Sequence, residues 1–448
     1  MSRRRTLQPI TSLLKQQVFP SETPITSGAA GARQYVTRFK MSKVGSILSG
    51  SQSALIVNFQ TVTRPGIVCL TGLLNCLQRC NIYIGSHRVV SIQEAGKYLN
   101  HKLRLSMTQD EFVDKCVYTY GVNDKTRLFQ GIAAGGVAVT GSNLFPRLEP
   151  SNQIFTSAAR ATSSYQLQLP LNFVFDLLDS DFPVYLLGSS DLYLEFAFDL
   201  TLLKNLLDTT GGAVGLPTDL TITNSFVYGV YYQLPIEALQ RNASLPFTDV
   251  FYVSSLINGQ KTATQSFSLN GQKTKRLLML ASKSSADQFQ AALGDYASTF
   301  IDNTGAPLEL QLKYLDEQYW TENILTDTIA FNYTNDCGKF GFLCQMGQFT
   351  FVDGAYLSAG NIPQTVIGYD DTVQGGLNMM CVNFGKVPYS HPLIERPEMQ
   401  SVTMDNQPVQ VLLRVQDAAN SMNDITLHTH AELMKQLVLG IGTGIVVN

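Results

Sequence analysis

The sequence predicts a mainly β protein built as two tandem β-sandwiches, with short helices confined to the insertions between strands. Three observations carry that reading. The stretch Ser164–Asp199 opens and closes with alternation at period two: Leu167 and Leu169 against Gln166 and Gln168, then Leu192, Leu194, Phe196 and Phe198 against Tyr193, Glu195, Ala197 and Asp199. Successive strand residues point to opposite faces, so this is the pattern of a sheet with one buried side. Short apolar runs of the same kind recur along the chain, bounded by Gly, Pro, Asn and Asp. The length of 448 residues exceeds what one core usually serves, so two units of about 200 residues each are expected.

In chain order, residues 1–43 are expected to form an N-terminal basic, flexible arm. Arg3, Arg4 and Arg5 precede Leu7–Val18, where Leu7, Ile10, Leu14 and Val18 fall at helical spacing and Pro9 sits in the first turn. A basic amphipathic helix of this kind lies on a membrane or a partner surface. A disordered tail is the alternative, and the Ser, Thr, Gly, Ala and Pro of Ser21–Arg33 point to it. Strands follow at Ala54–Val62, Gly66–Leu74 and Asn81–Gly85, the last turning into Val89, Val90 and Ile92 as a hairpin. Ala95, Tyr98, Leu99 and Leu103 then mark one face of a helix over Gln93–Leu103. Gly131–Gly141 is glycine-rich but lacks the Gly-Lys-Ser/Thr of a P-loop and the Gly-x-Gly-x-x-Gly of a dinucleotide site. It is therefore read as a loop or strand edge. Within the central stretch, Leu171–Leu178 is a short helix that stops before Phe182-Pro183. Leu220–Leu234 is strand-like, and Pro235–Pro246 is a linker with a short helix at Ile236–Arg241, so the first sandwich is assigned to residues 44–240.

The second sandwich, residues 241–448, starts again with strands at Val250–Leu256, Thr264–Leu269 and Lys275–Ala281. Asn270-Gly271 between the last two is a strong hairpin signal, because both residues tolerate positive φ. Leu308, Leu310, Leu312 and Tyr314 alternate with Glu309, Gln311 and Lys313, and Tyr319–Leu325 is read as a short helix. Phe349–Val352, Met379–Phe384, Val409–Val415 and Ile425–Leu433 are further strands, and Leu437–Val447 is a closing one. Two halves with about eight short strands each fit jelly-roll winding.

Two segments resemble one family. Leu169-Pro170-Leu171-Asn172-Phe173-Val174-Phe175, the bridge Phe182–Leu187 and the strand Leu192–Phe198 are similar to a segment of the double jelly-roll major capsid proteins. That lineage includes tailless phages, adenoviruses, large DNA viruses, virophages and polinton-like viruses. The hairpin Ile82-Tyr83-Ile84-Gly85 leading into a helix resembles the same family's first jelly roll. The resemblance implies a virion protein whose homotrimers are pseudo-hexameric blocks that tile an icosahedral shell beside minor capsid and penton proteins. It also implies an arm pointing inward, so that Arg3, Arg4 and Arg5 would meet an internal membrane or the genome.

Composition agrees with a structural role. Charged residues are only 15% of the chain against a usual quarter, so much of the outside is expected to lie against sister subunits. A formal net charge of −3 argues against a chain-wide nucleic-acid platform. The seven cysteines lack zinc-site spacing and are read as reduced, buried thiols made in a reducing compartment. Asn242 and Asn332 match the glycosylation sequon, a pattern common by chance. Neither a signal peptide nor a run of ~20 apolar residues is visible.

No enzyme motif or cofactor site emerges. His428 and His430 share one strand face, the one arrangement suited to a metal, but no compact third ligand accompanies them. The carboxylate pairs Asp179 with Asp181 and Asp370 with Asp371 sit in expected turns. Trp320 beside Tyr319 is read as core packing. A carbohydrate- or receptor-binding β-sandwich is the alternative function, and a β-sandwich hydrolase a further one.

Overall fold

The computed structural model describes residues 13–22, 33–61, 68–69, 73–106, 163–203, 206–207, 213–214, 218–283, 300–325, 380–383 and 402–447, with single positions and short gaps inside these spans excepted. In the first half the strands are β1 (Leu13–Pro20), β2 (Gln34–Met41), β3 (Ile47–Leu48), β4 (Ala54–Thr61), β5 (Val68–Cys69), β6 (Leu77–Ile84) and β7 (His87–Gln93). Helix α1 (Ala95–Ser106) follows, then β8 (Ser163–Pro170), β9 (Leu192–Asp199), β10 (Leu206–Leu207), β11 (Ala213–Val214) and β12 (Thr221–Gln233). The second half holds β13 (Asn242–Ile257), β14 (Thr262–Ser268), β15 (Lys273–Lys283), β16 (Glu309–Tyr314), β17 (Glu317–Gln318), β18 (Ile324–Leu325), β19 (Met380–Asn383), β20 (Val402–Thr403), β21 (Pro408–Arg414), β22 (Ile425–Gly440) and β23 (Gly444–Val447).

The first half forms two main sheets, ordered β1-β12-β4-β8 and β2-β9-β6-β7; the second forms β13-β22-β15-β19 and β14-β21-β16-β17. Counting only these strands from one to eight in each half, both halves read 1-8-3-6 and 2-7-4-5. All their pairings are antiparallel. The first strand pairs with the last and the second with the seventh, which is the winding of a jelly roll. The chain therefore carries the same topology twice, although its halves show no visible identity.

Each sandwich closes over its own alternating residues. In the first, Leu55, Val57 and Phe59 of β4 and Leu167 and Leu169 of β8 meet Phe39, Ile82, Leu194 and Phe196 of the opposite sheet. In the second, Leu277 and Met279 face Leu310, Leu312, Val409 and Val411. Between β8 and β9 the chain forms one helical turn, Leu171–Val174, and two 3-10 turns, Asp176–Leu178 and Val184–Leu187. This insertion is pinned to the sheet by Leu171 N donating to Ser53 O and Asn172 N donating to Gly50 O. Gly50 is required there, because a Cβ would stand 1.9 Å from the Leu178 carbonyl oxygen.

Several expectations change. The arm does not extend to residue 43, because Leu13–Pro20 and Gln34–Met41 are both sheet strands. Leu13–Val18 is not helical: β1 pairs with β12 from Leu13↔Gln233 to Pro20↔Phe226. Phe19 is buried against Tyr231, and Gly229 lets it in, since a Cβ there would lie 2.6 Å from the Phe19 ring. Leu73 and Leu74, read as the end of the strand Gly66–Leu74, open a 3-10 turn, Leu73–Cys76. Ile324–Leu325, read as helix, pairs with β16, and the closing segment is a hairpin in which β23 returns on β22. Leu239–Arg241 is irregular, while 236–238 lie outside the described residues. So do Arg3, Arg4, Arg5, Gly131–Gly141, Trp320, Asn332, 349–352 and 370–371. Asn270-Gly271 forms the expected tight turn, with φ of 38° and 72°, but not a hairpin: β14 pairs with β21 and β15 with β22, so the turn carries the chain from one sheet of the sandwich to the other.

Because Phe19 fills the first core while Val18 faces outward, Phe19→Ala is expected to cost about 3–5 kcal/mol and Val18→Ala less than about 1. Urea denaturation of the two variants checks this, and equal losses would contradict the strand.

Candidate functional site

The two halves meet where the first covers the outer face of the sheet β13-β22-β15. On that face the register brings Val250, Glu432 and Arg276 into one row, and Tyr252, His430 and Leu278 into the next. Strand β7 and the 3-10 turns of the β8–β9 insertion lie against β13 and β22. The far ends of those 16-residue strands reach further: Leu245, Phe247, Leu437 and Leu439 pack into the first sandwich's core.

A polar network is sealed inside this junction. Arg276 donates through Nε and Nη2 to both carboxylate oxygens of Glu432, at 2.6 and 2.7 Å. Tyr98 of α1 donates its hydroxyl to Glu432 Oε1 at 2.9 Å. Exposures of 8% for Arg276, 3% for Glu432 and 2% for Tyr98 put the pair out of reach of solvent screening. His430 lies 3.2 Å through Nε2 from the Gln93 carbonyl oxygen, so Nε2 is the protonated nitrogen and Nδ1 is left as a buried acceptor. His428 sits between the Tyr252 hydroxyl at 2.7 Å and the Ser282 hydroxyl at 2.8 Å. Ser91 N donates to Asp249 Oδ1, and Lys102 pairs with Asp176.

The two histidines do share a face, but their nitrogens are taken up separately by Tyr252, Ser282 and Gln93. Among the described residues no group of three or more candidate metal ligands converges. Asp179 accepts from Asn172 within the β8–β9 insertion, a local turn bond. Cys76 and Cys80 are both buried, and burial pushes the Cys80 thiol well up.

A second surface is the outward face of the first sandwich's sheet β1-β12-β4-β8. Its rows read Val18, Tyr228, Ala54 and Pro170, then Pro20, Phe226, Ile56 and Gln168, then Asn224, Asn58 and Gln166. None of these residues is charged, and Val18 is 52% exposed. In the duplicated topology it is the counterpart of the face that the junction covers in the second sandwich.

No protein-family model matches the chain, and no curated protein matches it. Solved structures do. The PBCV-1 virus capsid is 12% identical, covers 98% of this chain and 97% of its own, and superposes at a TM-score of 0.54. The Sputnik virophage structure is 12% identical over 100% of this chain and 91% of its own, at 0.53. The Faustovirus major capsid protein is 9% identical over 98% and 92%, at 0.53. This is the double jelly-roll capsid fold. End-to-end coverage in both directions means that the likeness embraces both jelly rolls, and not one sandwich shared with many unrelated proteins.

Apart from the histidines, the polar residues of the junction are not marked out by the sequence pattern. Their available signal was a charge inside an apolar strand, Glu432 in β22 and Arg276 in β15, since such residues are seldom buried unless paired.

Two outcomes follow from the junction. Removing one member of the Arg276–Glu432 pair leaves an uncompensated buried charge. Glu432→Leu is therefore expected to cost about 3–5 kcal/mol, and Arg276→Met with Glu432→Leu together much less; chemical denaturation of the three variants measures it. Burial also pushes His430 down to about 3 and His428 well below the usual histidine value, with the Lys97 charge adding to both. Unfolded histidine takes its proton near 6.5, so below that pH the unfolded chain binds more protons and stability falls as pH drops towards 3. The His430 ring removes about 1.4 kcal/mol between pH 7.5 and 5.5, and His428 adds in the same direction. His430→Phe is expected to lose that share of the difference in urea titrations at the two pH values.

Proposed function

We propose that this chain is a major capsid protein, a structural subunit whose homotrimers form pseudo-hexameric blocks of an icosahedral viral shell. The observation that carries the reading is the unequal treatment of two equivalent sheet faces. The outer face of β13-β22-β15 is covered by the preceding jelly roll of the same chain, while among the described residues the equivalent face of β1-β12-β4-β8 is charge-free, partly aromatic and uncovered. A second copy supplying its second jelly roll would cover that face as the first covers its own neighbour. Repeating the step three times closes a ring of six rolls. An interface of this obligate kind buries upwards of ~2,000 Å² and is mostly apolar.

In this reading the chain is a virion component rather than an enzyme. Its partners are sister trimers, with minor capsid and penton proteins at the remaining positions. The residues before β1 carry Arg3, Arg4 and Arg5, which we place on the inner side against anionic lipid or genome. Binding of a peptide spanning residues 1–12 to anionic but not zwitterionic vesicles, or to nucleic acid, supports that assignment; binding to none of them rejects it.

Light scattering on the purified chain is expected to give three times 49.3 kDa. Val18→Asp with Phe226→Asp places two charges on the uncovered face without touching either core. The double variant is expected to run as a folded monomer of 49.3 kDa, with an unchanged far-ultraviolet spectrum. A trimer that survives it would rule out this face as the contact.

A further inference from the structure

The second jelly roll carries a cleft that the junction does not use. Arg414 at the end of β21 lies between Thr262 at the start of β14 and Glu309 at the start of β16, and Glu309 also pairs with Leu325. The long connections after β15 and β18 therefore leave from the same end of the sandwich, where jelly rolls concentrate their loops. On the outward side of β14-β21-β16 at this end is a cavity of about 500 Å³, whose walls include Lys261, Glu309, Gln311, Lys313, Asn323 and Arg414.

The lining is chemically one-sided. Among the described residues three cations face one carboxylate, and Arg414, 63% exposed, is held only loosely at 3.9 Å from Glu309. Among the described residues neither Lys261 nor Lys313 has a carboxylate within ion-pairing distance, so positive charge is left over. Asn323 Nδ2 donates to Glu309 Oε2 at 3.1 Å and Gln311 Nε2 to the Glu322 carbonyl oxygen at 3.3 Å, which fixes the amides along the floor. Among the described residues no aromatic ring lines the cleft, so none of them offers stacking to a base or a flat sugar face. The volume falls in the range of small-molecule sites and far exceeds one inorganic anion. Glu309 in the wall repels a polyanion and needs a hydroxyl donor on whatever binds.

We propose that this cleft binds a carboxylate-bearing saccharide. Arg414, Lys313 and Lys261 take the carboxylate, while Asn323 and Glu309 take the hydroxyls. A single negative group surrounded by hydroxyls is the ligand that satisfies three cations, fixed amides and one carboxylate together. The site stands on this lining alone and is independent of the shell reading.

Saturation-transfer NMR and calorimetry on the full chain in its native oligomer test it, with 3′-sialyllactose and trigalacturonate as acidic probes and lactose and sulfate as controls. At least one acidic probe is expected to bind saturably, at least tenfold tighter than lactose or sulfate. Arg414→Gln, at an exposed position, is expected to weaken it at least tenfold while the melting temperature holds. Glu309→Ala, which removes both acceptor oxygens, separates the saccharide from a plain anion: loss of the hydroxyl acceptors weakens the saccharide, whereas loss of a negative charge tightens an anion. Saturable binding of neither acidic probe, equal binding of lactose or sulfate, indifference to Arg414→Gln, or tightening by Glu309→Ala each overturns the proposal.

Discussion

A β-sheet in a sandwich has two faces, and the fold of this chain is governed by what covers the second one. The inner faces are satisfied within each jelly roll by alternating Leu, Phe, Val and Ile. The outer face of β13-β22-β15 is different, since it presents Val250, Leu278 and Tyr252 together with a carboxylate and a guanidinium. Only the arrival of β7, α1 and the β8–β9 insertion makes such a surface tolerable. Tyr98 reaches Glu432 and the Gln93 carbonyl reaches His430, so the insertions of one roll complete the hydrogen bonding of the other. The two rolls are therefore tied together by polar groups that would be costly if separated.

Helix α1 and the β8–β9 insertion owe their positions to this demand. Leu73, Leu74, Ala95 and Leu99 anchor the helix on the first core, leaving Tyr98 to face the second roll and Lys102 to face the β8–β9 insertion. Lys102 meets Asp176 of the insertion, and the Asp176–Leu178 turn abuts β13. Gly50 admits the Leu178 carbonyl at the base of the same insertion. Sequence features that look like ornaments between strands are the parts that meet the neighbouring roll.

Much of this was legible from the sequence where the physics is local. Period-two alternation located β4, β8, β9, β16 and β21, and helical spacing located α1, because one buried face imprints itself on consecutive residues. Strand β1 escaped for the opposite reason. It is an edge strand with Phe19 as its one fully buried described side chain, and its partner β12 lies some 200 residues away, so Leu7, Ile10, Leu14 and Val18 gave a helical spacing that the sheet overrides. The winding itself was visible only as texture, since 1-8-3-6 pairing joins the ends of each half and leaves no local mark. The junction shows the same limit, for Tyr98, Arg276 and Glu432 come together from three distant segments and only their chemistry, a charge amid apolar neighbours, hints at a meeting.

The contrast between the two equivalent faces has a thermodynamic logic. The junction within the chain is formed by segments already joined covalently, so it meets its partner at high effective concentration and forgoes the cost of association, which runs to several kcal/mol or more. It can therefore carry a buried ion pair whose net contribution is small but whose geometry fixes one orientation of roll against roll. A contact between separate copies has no such advantage. It must overcome lost translational and rotational freedom, and desolvating charges would add to that burden. Val18, Ile56, Phe226 and Tyr228, set among neutral amides, suit that second situation. A duplicated fold that kept its winding while its two outer faces diverged, one towards a polar lock and one towards an uncharged seat, is what distinct covalent and non-covalent junctions would select.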